Sequence, residues 1–168
     1  MPVSNGNRIR HWSLYLLFFA LFSASCAVTS ETAIDLPPLT LEPAPTTTFS
    51  GLCDERGVLE DWLQTVEFQQ RDFVMLMRDG IDKSPDDLYL DVEQMARIRN
   101  RIAEDPVPDC AEDAFTSIME AMEVVLRQFQ SYTNGQAVDL SDVIQTVEPL
   151  ITTFENQRDA LITQLEGR

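Results

Sequence analysis

Apolar residues recur at three- and four-residue spacing from Ser50 onward, and this period is the strongest constraint on the fold. Such spacing places the apolar side chains on one face of an α-helix. Breaker residues divide the pattern into four segments, whose apolar positions are Leu59, Trp62, Leu63, Val66, Phe73, Leu76 and Met77; Leu88, Val92, Met95, Ile98 and Ile102; Ala114, Phe115, Ile118, Met122, Val125, Phe129 and Tyr132; and Val143, Ile144, Val147, Leu150, Ile151, Phe154, Leu161, Ile162 and Leu165. Four amphipathic helices with short connections predict an all-α domain over residues 50–168, an antiparallel up-and-down four-helix bundle.

The expected ends of these helices follow from capping and breaker residues. Gly80 follows the first stripe and is predicted to end that helix in the left-handed conformation. Ser84, followed by proline, is a predicted N-cap for the second helix, and Asp109 and Asp139 are predicted caps for the third and fourth. Pro149 lies inside the fourth pattern and is expected to kink that helix.

The cysteines test this topology. Cys53 and Cys110 lie where the first and third helices begin, and alternating helix directions bring those two starts to the same end of a bundle. A disulfide between them would close a long loop, which stabilises a fold by about 4 kcal/mol in the chain-entropy model. Two free thiols are the alternative. Two cysteines without histidine fall short of the usual zinc ligand set.

The first 25 residues have the organisation of a secretory signal peptide. Arg8 and Arg10 supply positive charge, Trp12–Phe22 is an apolar run, and the small residues 23–25 follow it. The apolar run is shorter than the roughly 20 residues that a membrane-spanning helix needs. We therefore expect cleavage rather than an uncleaved anchor.

Cys26 directly follows the small residues Ser23, Ala24 and Ser25. This arrangement resembles the lipobox of bacterial lipoprotein precursors, in which the cysteine is acylated and becomes the new N-terminus. The resemblance implies lipidation of Cys26 and membrane anchoring. Ser23 stands where the pattern prefers an aliphatic residue, so ordinary signal peptidase cleavage remains an alternative. Acylation would use the odd cysteine and leave Cys53 and Cys110 as a pair.

Residues 26–49 are predicted to form a linker between the membrane and the helical domain. Prolines at positions 37, 38, 43 and 45 remove backbone donors and disfavour helix before them. Neither a helical nor a strand period persists, so the sequence predicts a disordered, semi-rigid spacer. Fully stretched, residues 27–49 would reach about 75 Å.

The charge narrows the range of functions. The chain carries 12 basic and 28 acidic residues, and removing residues 1–25 takes away two arginines and no acid, so the net charge changes from −16 to −18. Such a surface repels nucleic acids. The only histidine is His11, so the exported part has no imidazole for acid–base or metal chemistry. No cofactor motif is present, and we expect no enzyme activity.

Two charged clusters are weak candidates for ligand or ion contact. The first is acidic, surrounds the predicted start of the second helix and has the oxygen ligands that calcium prefers, although the spacing is not that of an EF-hand: Asp82, Asp86, Asp87 and Asp91. The second is basic and lies in the last turns of the same helix, where the tether is expected to enter: Arg97, Arg99 and Arg101. Capping and helix-dipole effects on a solvated face also account for both clusters.

These features favour a non-catalytic, lipid-anchored binding or structural module of the cell envelope. Its expected partners are a membrane, through the lipid anchor, and a protein of the envelope. The alternative is a lipoprotein that binds a small ligand or a cation in the bundle interior or on the acidic face. A cavity of several hundred cubic ångströms would favour that alternative, and a wide exposed apolar patch would favour a protein partner.

Overall fold

The computed structural model describes residues 36–49, Cys53 and residues 55–167. The chain from Leu36 onward forms one compact unit, and the described part contains four α-helices, α1 (Arg56–Gly80), α2 (Pro85–Glu104), α3 (Glu112–Thr133) and α4 (Leu140–Glu166). The predicted all-helical class is confirmed, and the helices are consistent with a four-helix bundle. None of the described helices combines the length and apolarity that crossing a membrane requires. The predicted signal peptide, Cys26 and residues 27–35 lie outside the described residues.

The helix starts show which capping predictions are correct. The Ser84 side chain accepts a hydrogen bond from the backbone N–H of Asp87, and the Asp139 side chain accepts one from the backbone N–H of Ser141. Both residues are N-caps, as predicted. Asp109 instead begins a short 3-10 turn, Asp109–Ala111, and α3 starts after it without a side-chain cap.

Gly80 ends α1 as predicted, but it does not take the left-handed conformation, so that part of the prediction is wrong. It is the last residue of the helix, and the positive-φ glycine of the described chain is Gly135, at φ 80°. A Cβ atom added to Gly80 would lie 2.7 Å from Leu88 Cδ1 and 3.0 Å from Phe129 Cε1. Glycine is needed here because α2 and α3 pack closely against the end of α1.

The predicted stripes form the core. Each helix contributes its apolar face to one cluster of buried residues, which also includes the five aromatic residues that the sequence presents at helical spacing: Trp62, Phe73, Phe115, Phe129 and Phe154. These rings are core side chains rather than the walls of an open cavity. Pro149 lies within α4, which continues through it to Glu166.

The second half of the predicted linker is part of the fold. Residues 36–49, here called the strap, lie along α2 and α3. Leu39 is 5% exposed. The Leu39 N–H donates to Asn134 Oδ1 at 2.9 Å, and Gln130 Nε2 donates to the Leu39 carbonyl at 2.7 Å. Further along, Thr47 Oγ1 donates to the Ala103 carbonyl at 3.1 Å. The predicted spacer therefore does not extend to residue 49. Backbone groups of Leu39 are bound by Gln130 of α3 and by Asn134 just after it, and the Leu39 side chain is buried.

The direction of the strap also corrects where the tether enters. Leu36–Pro38 lie beside Pro85 and Tyr89, at the start of α2, and the strap reaches the end of α2 only at Thr47. The predicted entry, beside the arginines at the end of α2, is therefore wrong, because it lies at the opposite end of that helix.

A disulfide bond follows the strap in the chain. Phe49 makes an isolated parallel β-bridge with Val107, and its ring packs edge-on against Phe115 at 6.1 Å between centroids. The expected disulfide is present: Cys53 and Cys110 are bonded, with their Cα atoms 5.8 Å apart. The starts of α1 and α3 therefore lie at the same end of the molecule.

Candidate functional site

The acidic cluster is occupied by local contacts. Asp91 accepts an ion-pair hydrogen bond from Lys83 Nζ at 2.5 Å, and Asp87 accepts a hydrogen bond from Ser84 Oγ at 2.7 Å. Asp82 and Asp86 are exposed. The hydrogen bond to Asp91 is the main cause that raises the pKa of Lys83 above its usual value. The described residues contain no group of three or more acidic, histidine or cysteine side chains that could hold a metal ion.

The three arginines of α2 do not act together. Arg97 is exposed and lies 3.8 Å from Glu93, one turn earlier. Arg101 is exposed as well and donates to Gln69 Oε1 on α1 at 3.4 Å. Arg99 is only 2% exposed and is the largest fully buried side chain among the described residues. The structure therefore separates the predicted cluster into two surface residues and one buried residue.

Arg99 is buried because the strap covers it. Its Nη1 donates to Glu123 Oε1 on α3 at 2.7 Å, and its Nη2 donates to the backbone carbonyl of Glu42 in the strap at 2.5 Å. Nε and Nη2 also donate to Asn100 Oδ1, at 2.9 and 2.6 Å. A buried guanidinium needs such partners because leaving a charge unpaired costs several kcal/mol. Arg99 thus holds the strap to α2 and α3, and it is not available to an external anion.

A groove lies on another face of the molecule, between α1 and α4. Adjacent helices in the chain pack closely, but the backbones of α1 and α4 scarcely approach each other. A side-chain hydrogen bond crosses the gap, in which Gln70 Nε2 donates to Glu155 Oε1 at 3.4 Å. The space left over is about 450 Å³ and is half-enclosed. We call this feature the α1–α4 groove.

The groove has an apolar floor and charged rims. Its apolar lining consists of Val74, Met75, Met77, Ile144, Val147 and Ile151. Its charged lining consists of three arginines and three glutamates: Arg71, Arg78 and Arg158, with Glu67, Glu148 and Glu155. The lining is thus neutral in a chain whose net charge is −16. Beyond residue 25 the sequence has ten basic residues, and three of them are here.

The two rims differ in sign over the central turns. On α1, Arg71 and Arg78 are seven residues apart, and on α4, Glu148 and Glu155 are seven residues apart. Seven residues are two helical turns, so each pair lies on one side of its helix. At one end the signs reverse, with Glu67 on α1 and Arg158 on α4, where Arg158 is paired with Asp159 at 2.9 Å.

Two exposed apolar side chains lie on α1, Met75 in the lining of the groove and Phe68 outside that lining. Phe68 is 52% exposed and Met75 is 53% exposed, and they too are seven residues apart. The guanidinium of Arg71 lies over the Phe68 ring, 4.8 Å from its centroid. Methionine is unbranched and polarisable, which suits it to contact surfaces of varied shape. An apolar stripe flanked by charges therefore faces solvent along α1.

Sequence reasoning missed this groove, although one signal was available. Phe68, Arg71, Met75 and Arg78 belong to none of the four predicted apolar stripes. Their spacing, apolar at 68 and 75 and basic at 71 and 78, is a second amphipathic face on a helix whose first face is already buried. A helix with two apolar faces is expected to contact something besides its own core.

A second depression, of about 490 Å³, lies at the connection between α3 and α4, where Tyr132 and Leu140 contribute to its lining. It is a shallow surface with few polar groups.

Comparisons of the chain with family models, with curated proteins and with solved structures found no match.

Proposed function

We propose that this protein is a non-catalytic binding module of the cell envelope, exported and anchored to a membrane through an acylated Cys26. The α1–α4 groove is its binding site. The observation that carries the proposal is the composition of that groove: a partly exposed apolar floor between rims of mixed sign and no net charge, on a molecule that is otherwise strongly acidic. Exposed apolar surface bordered by charges is typical of interaction sites.

The proposed architecture behind the groove is an antiparallel up-and-down bundle. Three short connections, at residues 81–84, 105–111 and 134–139, join consecutive helices. Tyr132, at the end of α3, donates to the Lys83 carbonyl just before α2 begins, and Gln70 meets Glu155 across the groove. In such a bundle the first and last helices are neighbours, so a gap between them runs along the side of the molecule.

Export and anchoring are supported by the leader and by the cysteine count. Because Cys53 and Cys110 are bonded to each other, Cys26 is the cysteine left over. Acylation removes this odd thiol, and disulfides belong to oxidising compartments outside the cytoplasm. The proposed location is the membrane surface or periplasm.

The absence of catalysis is proposed from side-chain chemistry. The only histidine is in the leader. Imidazole is the commonest acid–base and metal-binding group near neutral pH, so the commonest enzyme mechanisms are not available to the exported part.

The volume of the groove favours one alternative, a lipoprotein that binds a small amphiphile. Small-molecule sites are typically about 300–1,000 Å³, and the groove falls in that range at about 450 Å³. In the cation-binding form of this alternative, the acidic cluster would have to release Asp91 from Lys83, which costs the ion pair seen there.

The proposed function is tested by site-specific photocrosslinking in native membranes. A photoreactive amino acid at Met75, in the groove, is compared with one at Leu90, which is 68% exposed on α2 and outside the groove. We expect a discrete adduct from position 75 and none from position 90. Equal labelling at both positions, or none at position 75, would contradict the groove as a binding site.

Anchoring is tested separately by the intact mass of the membrane-extracted protein. We expect the mass of the chain from Cys26 plus acyl chains, and alkylation of Cys53 and Cys110 only after reduction. A mass without acyl chains would remove the anchor and leave the groove proposal standing.

A further inference from the structure

We infer that the occupant of the α1–α4 groove is an amphipathic α-helix of a partner protein, acidic along the edge that lies over α1 and basic along the edge that lies over α4. This inference rests on the binding role proposed above and names the class of partner.

The shape of the groove fits a helix. The α1 residues that line it run from Glu67 to Arg78, which corresponds to about 17 Å along the helix axis, or three turns. Two apolar residues of the α4 lining, Ile144 and Ile151, are seven residues apart. On α1, the lining residue Met75 is seven residues from the exposed Phe68, which lies outside the lining. Residues seven apart present a continuous seam to a third helix, which inserts its own apolar side chains between them.

The charged residues on the rims of the groove indicate which charges the partner helix carries. Charged residues beside an apolar seam determine which helix pairs there and in which direction. Arg71 and Arg78 beside the seam favour acids on one edge of the incoming helix, and Glu148 and Glu155 favour bases on the other. The sign reversal at Glu67 and Arg158 is confined to one end. A uniformly basic helix would be drawn to the acidic molecule as a whole but would meet repulsion at the α1 rim.

The strap provides an internal precedent. The face formed by α2 and α3 is covered by a segment of the same chain, and a guanidinium at that face is buried by it. The α1–α4 groove has a similar residue composition, with apolar side chains and arginines beside them. The described chain places no segment over it, and Arg71 and Arg78 are exposed.

The inference is tested with three designed helical peptides about three heptads long, which share one leucine stripe and differ only at their edges. One carries glutamate on one edge and lysine on the other, one carries glutamate on both, and one carries lysine on both. Binding to the full-length exported protein is measured by fluorescence anisotropy. The protein is held in phosphatidylcholine nanodiscs, or free in solution if Cys26 carries no acyl chain.

We expect the mixed-edge peptide to bind tightest. In the double variant Arg71→Glu with Arg78→Glu, its affinity should fall about tenfold or more and that of the lysine peptide should rise. The matched control is Arg97→Glu with Arg127→Glu, which changes the net charge equally at exposed positions of α2 and α3 away from the groove. The control should leave the preference for the mixed peptide unchanged. Circular dichroism checks that all variants keep their helices.

Three results would overturn the inference. Tightest binding of the lysine peptide to every variant would mean attraction to net charge alone. Binding of tetradecanoate but of no peptide would assign the groove to a small amphiphile. A dimer in sedimentation experiments that Arg71→Glu with Arg78→Glu disperses would assign the groove to a second copy of this chain. A groove-specific crosslink at Met75 combined with any of these results would keep the binding role and reject the helix.

Discussion

The α2–α3 face and the α1–α4 groove use the same residue type in opposite ways. On the covered face, Arg99 is 2% exposed and donates hydrogen bonds to the strap, to α3 and to its neighbour Asn100. In the groove, Arg71 and Arg78 are exposed, and Arg71 lies over an exposed ring. An arginine on a helix surface is thus a structural residue or a recognition residue according to what covers it.

The largest effect on stability is expected from removing the disulfide that follows the strap. Replacing Cys53 and Cys110 by serine should lower the free energy of unfolding by about 4 kcal/mol, because the disulfide spans 57 residues and restricts the unfolded chain. Urea unfolding of the oxidised and reduced protein measures the difference. Identical midpoints with and without reductant would show that the covered face does not depend on this link.

Arg99→Met should destabilise the protein by about 2–4 kcal/mol, since the hydrogen bonds that Arg99 donates to the Glu42 carbonyl and to the Glu123 carboxylate are lost. The matched groove variant, Arg78→Met, should change the free energy of unfolding by less than about 0.5 kcal/mol, because Arg78 is exposed. Chemical denaturation measures both. The Leu39 backbone N–H donates to Asn134 Oδ1, and hydrogen exchange at this amide should be faster in the Arg99 variant alone. Equal destabilisation by the two substitutions would abolish the distinction between the two faces.

Helix α1 contacts α2 and α3 closely at Gly80 and stands apart from α4 along the groove. Gly80→Ala should destabilise by about 1–2 kcal/mol, because its methyl group would meet Leu88 and Phe129. Gly57→Ala is the control: nothing lies within 4 Å of its added atom, and the better helix propensity of alanine should stabilise the protein by about 0.5 kcal/mol. The difference in thermal midpoint between the two variants reports how tightly the end of α1 is packed. A stabilising Gly80→Ala would mean that this contact is loose.

The smallest effect on folding is expected in the groove itself. The double variant Phe68→Ser with Met75→Gln should alter the free energy of unfolding by less than about 0.5 kcal/mol, since both side chains are more than half exposed. The same variant should lose binding of the mixed-edge peptide. A large loss of stability without loss of binding would show that these side chains belong to the core and that the groove is not a recognition site.

The helices were predictable because their signals are local. The apolar stripes, the Ser84 cap and the Asp139 cap each depend on residues a few positions apart, and all of them are found as expected. The disulfide followed from the same pattern combined with alternating helix directions. The end of α1 at Gly80 was predicted correctly, but the conformation of this glycine was not, and its close approach to Leu88 and Phe129 is a tertiary contact that local sequence does not reveal.

The strap and the groove were not predictable for a different reason. The strap is held largely through backbone groups, such as the carbonyls of Leu39 and Glu42. Every residue has a backbone carbonyl, so these contacts leave no pattern in the sequence. The burial of Arg99 follows from that docking and could not be foreseen without it. The groove depends on how far α1 stands from α4, a tertiary distance. The sequence offered only the repeated spacing of Phe68, Arg71, Met75 and Arg78.

The course of the strap has a mechanical consequence. It enters beside the start of α2, follows that helix to its end, and is fastened there by the Cys53–Cys110 bond. Tension applied to the chain ahead of Leu36, in line with α2, loads the strap contacts in shear, all at once, instead of unzipping them singly. Mechanical resistance is set by the rate of forced unfolding. Because the strap contacts are loaded together and the disulfide follows them in the chain, we expect the helices to stay folded under tension.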